Sequence, residues 1–223
     1  MMRPSWMFVC AALLTTTAAA SARAPVVTPQ HDPPPVELAA PLRALIAPGG
    51  QQVTIGSTTL DFWWVESLPL AAGSSGAVDW SQVPEGSLVG VMKTGASFPD
   101  IRGHSFKAGV YTLRYGIQPA DGNHMGVSPY PDFLLVGPAA DDTDPKPLGH
   151  DATIQLSTKA SGLAHPAVLS LDPPVATQAL DAVVQPEQGM SLTSVIFAVP
   201  VSRGGVAAGT LRFGLVLVGI IQP

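Results

Sequence analysis

The chain predicts an all-β fold: a single antiparallel β-sandwich, jelly-roll or Ig-like, with at most one or two short helices. Three observations carry this expectation. Short runs rich in β-branched and aromatic residues recur from position 52 to the end, punctuated by Gly and Pro. Within the longer runs apolar side chains alternate with a period of two, which places them on one face of a pleated strand. Strands do not alternate with helices, and no repeat of 20 to 50 residues is visible, so neither a parallel sheet nor a solenoid or propeller is supported.

The N-terminus reads as a secretory signal over residues 1–22: one early cation, Arg3, an apolar run from Trp6 to Leu14, then small residues. Cleavage after Ala22 or Ala20 is expected, because a cut after Ala24 would put Pro25 first. The apolar run is too short for the roughly 20 residues that a membrane-spanning helix needs, so no transmembrane segment is expected once the signal is gone. Cys10 lacks a small residue before it and is not read as a lipidation site. The reading is therefore an exported protein, periplasmic or secreted.

Residues 23–50 form a proline-rich arm. The stretch "APVVTPQHDPPPVELAAP" has six prolines in eighteen residues, and proline lacks the donor that helices and ladders use. A helical turn is expected at "LRALIAP". Residues 51–223 form the β-domain, with strands at "QVTIG", "TLDFWWVES", "SLVGVMKT", "VYTLRYGI", "DFLLV", "TSVIFAVPV" and "TLRFGLVLVG". Leu60, Phe62 and Trp64 share one face of their run and Asp61, Trp63 and Val65 the other; Tyr111, Leu113 and Tyr115 oppose Val110, Thr112 and Arg114. In the last run Leu211, Phe213, Leu215 and Leu217 form an unbroken apolar face, as a central strand would. Between these runs, "HDATIQLSTKAS", with Ile154, Leu156 and a polar remainder, suits one short surface helix.

Composition narrows the function classes. Removing residues 1–22 takes away Cys10, the only cysteine, and with it disulfides, thiolate chemistry and cysteine-ligated metals. It leaves 10 basic against 16 acidic residues, a formal charge of −6, with no Lys/Arg cluster, so nucleic acid is not an expected partner. No G-x-S-x-G, H-E-x-x-H, P-loop or G-x-G-x-x-G pattern occurs. The acidic run Asp141, Asp142 and Asp144, followed by Asp151, lacks the spacing of a calcium loop and reads as a solvated linker.

One loop stands out. Between two predicted strands, residues 118–131 hold Pro119, Pro129 and Pro131, an Asp121-Gly122 turn signal, and the chain's only asparagine. Long loops without regular structure are uncommon in compact domains, and many are functional. Gln118, Asp121, Asn123, His124, Tyr130 and Asp132 are candidate ligand-binding residues there. Their alternative role is to hydrogen-bond the loop's own backbone. Trp63 is a further candidate if its ring is exposed and can stack on a sugar; the segment 25–41 is an available cover. An alternative metal set is His124 and Met125, joined by His104 and Met92, a soft group suited to Cu(I). A hydrolase with dispersed Ser, His and Asp residues is the third reading.

The stretch "FKAGVYTLRYGIQPADGNHMGVSPYPDFLLV", with "DFWWVESLPL" before it, resembles a group of exported bacterial β-sandwich proteins of uncharacterised function. The "RYGIQPADGNHMG" part is the distinctive one, and the likeness extends over most of the chain after the arm. It implies a fold and export but no activity. A weaker likeness, to copper-carrying cupredoxin-like domains, rests on His and Met in a loop between strands; without a cysteine in the mature chain the blue-copper pattern is not met, and the copper alternative becomes a simple His/Met site. The expectation for function is thus a non-catalytic exported protein that binds an unknown small ligand or protein partner through loop 118–132.

Overall fold

The computed structural model describes residues 24–119, 128, 130–174, 177–184 and 192–220; the expected signal, 1–22, lies outside them. In chain order the first elements are β1 (Val26–Gln30), α1 (Ala40–Arg43), β2 (Ile46–Ile55), β3 (Thr58–Val65), β4 (Leu68–Pro69), β5 (Leu88–Thr94), β6 (Phe98–Pro99), β7 (Ser105–Phe106) and β8 (Gly109–Ile117). They are followed by β9 (Asp132–Pro138), α2 (His150–Ser161), β10 (Val168–Asp172), β11 (Val183–Val184), β12 (Thr193–Arg203) and β13 (Val206–Val218). Among the described residues helix is confined to two short segments and two 3₁₀ turns, Trp80–Gln82 and Ala139–Asp141. Among the described residues no helix is long and apolar enough to cross a membrane.

One path of hydrogen-bonded neighbours runs β1-β2-β3-β5-β8-β9-β10-β13-β12-β11, with β4 added to β12. Neighbours along the path are antiparallel, and among the described residues only the short β4–β12 contact is parallel. The all-β architecture therefore holds, but the sheet curls as a half-barrel instead of dividing into two clear layers. β10 links the curled part of the sheet, β1 to β10, to the β11–β13 part: its residues Val168–Ser170 pair with β9 while Leu171 and Asp172 pair with β13.

Curling brings the β12–β13 hairpin across the concave face, and the apolar alternation of the sequence meets there. Phe62 and Trp64 of β3 stack with ring centroids 5.5 Å apart; Phe197 of β12 and Phe213 of β13 reach Trp64 at 4.9 and 5.2 Å. Trp80 extends the cluster between Phe213 and Tyr115. Such contacts add a directional term to simple area burial. Gly90 of β5 is needed at this point, since a Cβ there would lie 2.6 Å from the Trp64 ring. Leu211, Phe213, Leu215 and Leu217 are all buried, and β13 is central as its apolar face implies. On the convex side α2 covers β9, with Leu156 seated over Gly137, where a Cβ would lie 2.7 Å from the leucine.

From residue 24 on, the proline-rich segment joins this sheet through β1 and the start of β2. β1 pairs with β2 over five residues and forms an edge, where Pro29 costs no ladder bond to a further strand. Between β1 and β2 the chain crosses the convex face: the Asp32 carbonyl accepts from the Trp63 indole N–H at 2.9 Å, and Trp63 is 2% exposed. The acidic run is not simply a solvated linker. Asp142 is buried and takes Arg114 Nε and Nη2 on its two oxygens at 2.7 and 2.8 Å, with the Thr112 hydroxyl at 2.6 Å. Arg114 also donates to the carbonyls of Gly86, Lys146 and Asp144, so all five of its N–H groups are used.

Candidate functional site

The site is built at the end of β8, where loop 118–131 leaves the sheet and returns as β9. Ile117 pairs with Asp132, and the Gln118 N–H donates to the Pro131 carbonyl at 2.7 Å, so the loop closes on a ladder extended by one residue pair. Odd-numbered residues of β8 face the concave core and even-numbered ones the convex side, a consequence of strand pleating. The loop consequently emerges between two polar pairs, one on each side of the sheet.

On the concave side Tyr115 donates its hydroxyl to Asp132 Oδ1 at 2.7 Å while Trp80 stacks on its ring at 4.9 Å. Burial pushes the ionisation of Tyr115 far above the ordinary tyrosine range; the hydrogen bond and charge of Asp132, and the charges of Glu85 and Asp79, push it further. The phenol therefore stays a neutral donor, and Asp132 is held in one orientation at the loop's return. On the convex side Glu85, in the turn before β5, accepts from Ile117 N–H at 3.3 Å and meets His150 Nδ1 at 2.7 Å. His150 opens α2, beyond Gly149, whose positive φ of 74° breaks the approaching chain. Both members of this pair are partly exposed, with side-chain exposures of 42% for His150 and 27% for Glu85, so a ligand can reach them.

On the return limb stand Tyr130, which is exposed and whose N–H donates to Ser128 Oγ at 3.3 Å, and Ser128 itself, bonded to Ser170 of β10 at 2.7 Å. The return limb of the loop is thus tied to β10 as well as to β8. The set presents a carboxylate, a carboxylate–imidazole pair, an exposed phenol and two serine hydroxyls around one loop, a group able to exchange hydrogen bonds with a polar ligand. His150 is placed against Glu85 and not against a serine.

Of the residues picked out from sequence, Gln118, Tyr130 and Asp132 come together here. Asp121, Asn123, His124 and Met125 lie outside the described residues. Trp63 is enclosed under the segment between β1 and β2, which leaves no ring face for a sugar in this arrangement. Met92 is fully buried in the main core, on the strand register that joins Phe62 to Tyr111. His104 sits in the β6–β7 hairpin at the start of β8, and a nine-residue strand carries the chain roughly 26 Å at about 3.3 Å per residue before the loop begins. Its backbone N–H donates to Asp100 Oδ1 at 2.9 Å, and its ring lies 3.9 Å from Asp100 Oδ2. Among the described residues no group of three or more His, Cys, Asp or Glu side chains is placed to hold a metal ion.

Glu85, His150 and Trp80 were not picked out. Glu85 and His150 are 65 residues apart in the chain, and no local pattern links them. No family model matches this chain, and neither a curated protein nor a solved structure is significantly similar to it.

Proposed function

We propose that this is an exported, non-catalytic β-sandwich-like protein, periplasmic or secreted, that binds a small polar ligand or a protein partner through loop 118–132. The observation that carries the reading is the anchoring of the loop's two ends by Tyr115–Asp132 and Glu85–His150. Fixed ends reduce the conformational freedom that binding must remove, which is how a preorganised loop gains affinity. Trp80, beneath Tyr115, makes the base of the loop stiff, and Tyr130 and His150 remain accessible at its rim.

Native mass spectrometry of the protein purified from its own export compartment tests the reading. The wild-type chain should retain a ligand or partner that is lost when residues 120–127 are replaced by a Gly/Ser linker, while the circular-dichroism spectrum stays the same. If both proteins carry the same adducts, or none, the loop is not a binding site. N-terminal sequencing of the same material should find Arg23 or Ser21 first; Met1 would contradict export by cleavage.

A further inference from the structure

A groove of about 660 Å³ lies on the convex side, away from the loop. β5 and β8 contribute Lys93 and Val110, the β7–β8 connection contributes Lys107, and the last turn of α2 contributes Lys159. His150 and Lys159 stand at opposite ends of α2, so the groove and the loop base are separate places.

Lysine is scarce in this acidic chain, and three of its four copies line this one groove. Among the described residues the single carboxylate on the wall is Glu37. Lys93 and Lys107 have no carboxylate within ion-pairing distance among the described residues, and Lys159 has only an exposed pair with Asp141 at 3.3 Å. The sheet register sets Asp61 opposite Lys93, where its charge offsets part of the lysine's, but no ion pair closes between them among the described residues, and Asp61 Oδ1 instead accepts from the side-chain amides of Gln30 and Gln52 at 3.1 and 2.7 Å. The Thr158 carbonyl at the helix end, which would repel an anion, is capped by Gly162 N–H and Ser161 Oγ. Beneath the cations the floor is small and apolar: Val110, Pro138, Ala139 and Ala160.

From this charge separation we infer that the groove binds a small organic anion carrying at least two acidic groups on an apolar body. The ammonium groups come from separate elements, so one ligand bridges them only if its charges are spread, and the apolar floor favours a hydrocarbon or aromatic frame over a bare inorganic ion.

Isothermal titration of the mature protein with naphthalene-1,5-disulfonate tests the inference. Lys93→Gln and Lys107→Gln should each weaken binding about threefold, as expected for solvent-exposed ion pairs, and together about tenfold. Lys146→Gln, which removes the one lysine outside the groove, should leave it unchanged. Added salt should weaken the wild-type interaction, and inorganic sulfate should bind at least tenfold less tightly than the disulfonate. A Lys93→Arg/Lys107→Arg variant, which keeps the charge, should retain binding and separates loss of charge from loss of fold. The inference fails if the double glutamine variant binds as the wild type does, if Lys146→Gln weakens binding equally, or if sulfate matches the disulfonate.

Discussion

Arg114 and Asp142 form a fully buried ion pair, closed at 2.7 Å between Nε and Oδ2. It joins the middle of β8 to the connection between β9 and α2, and so fixes where α2 begins. Taking away one partner leaves the other charge buried, which typically costs about 3–5 kcal/mol. Arg114→Met is expected to lose stability in that range by urea denaturation. In many proteins replacing both partners with apolar residues restores stability, but here Arg114 also serves the carbonyls of Gly86, Lys146 and Asp144. The Arg114→Met/Asp142→Leu double variant should therefore remain less stable than the wild type; full recovery would show that those carbonyls find water.

Phe213 is fully buried among Trp64, Trp80 and Phe197. Phe213→Ala should cost about 3–5 kcal/mol, the usual range for a large aromatic truncated in a core. A loss under about 1 kcal/mol in chemical denaturation would mean that the β12–β13 hairpin does not close the core as described.

The strands with long apolar alternation were legible because pleating imposes a period of two, and β3, β8 and the second half of β13 carry that period. α2 was legible from Ile154 and Leu156 set among polar residues. What the sequence hid follows from its context. The prolines around β1 argue against a strand in general, yet an edge strand tolerates them. β10 is short, and its Ser170 and Asp172 interrupt the apolar run, so only its neighbours define it. The buried role of Asp142 was hidden too: it lies 28 residues from Arg114 in an acidic run that by itself reads as a solvated linker. The Glu85–His150 pair and the lysine groove left no trace either, because both are assembled from elements distant in the chain.

Asp172 tests the curled sheet through pH. Burial raises its ionisation above the ordinary carboxyl range, partly opposed by the Ser194 hydroxyl bonded to its Oδ2, and its other oxygen has no partner among the described residues. A carboxyl with a raised folded value contributes stability that is complete below its unfolded value, about 3.9, and lost as pH climbs through the folded one. Asp172→Asn, which keeps an acceptor for Ser194, should therefore improve in melting temperature relative to the wild type between pH 3 and pH 7. A constant difference across that range would show that the carboxyl is not desolvated.

Tyr115 gives the corresponding test at high pH and reports directly on the base of the loop. In the unfolded chain its phenol ionises near pH 10, whereas in the folded protein burial and the Asp132 carboxylate hold it neutral well beyond that; Tyr111 is also raised, by burial. Both contributions are complete below pH about 10 and are lost as pH rises above it, because the unfolded state releases protons that the folded state keeps. Stability should fall steeply in that window, with the tyrosinate absorbance of these two residues appearing together with unfolding and not before it. Tyr115→Phe removes one of the two titrations and should flatten the fall. It also leaves Asp132 Oδ1 without its donor, so at neutral pH the variant should lose about 0.5–1.5 kcal/mol, the net worth of one hydrogen bond. An unchanged alkaline slope in the phenylalanine variant would mean that Tyr115 opens to solvent in the native state, and the loop would lose the concave-side anchor on which its preorganisation depends.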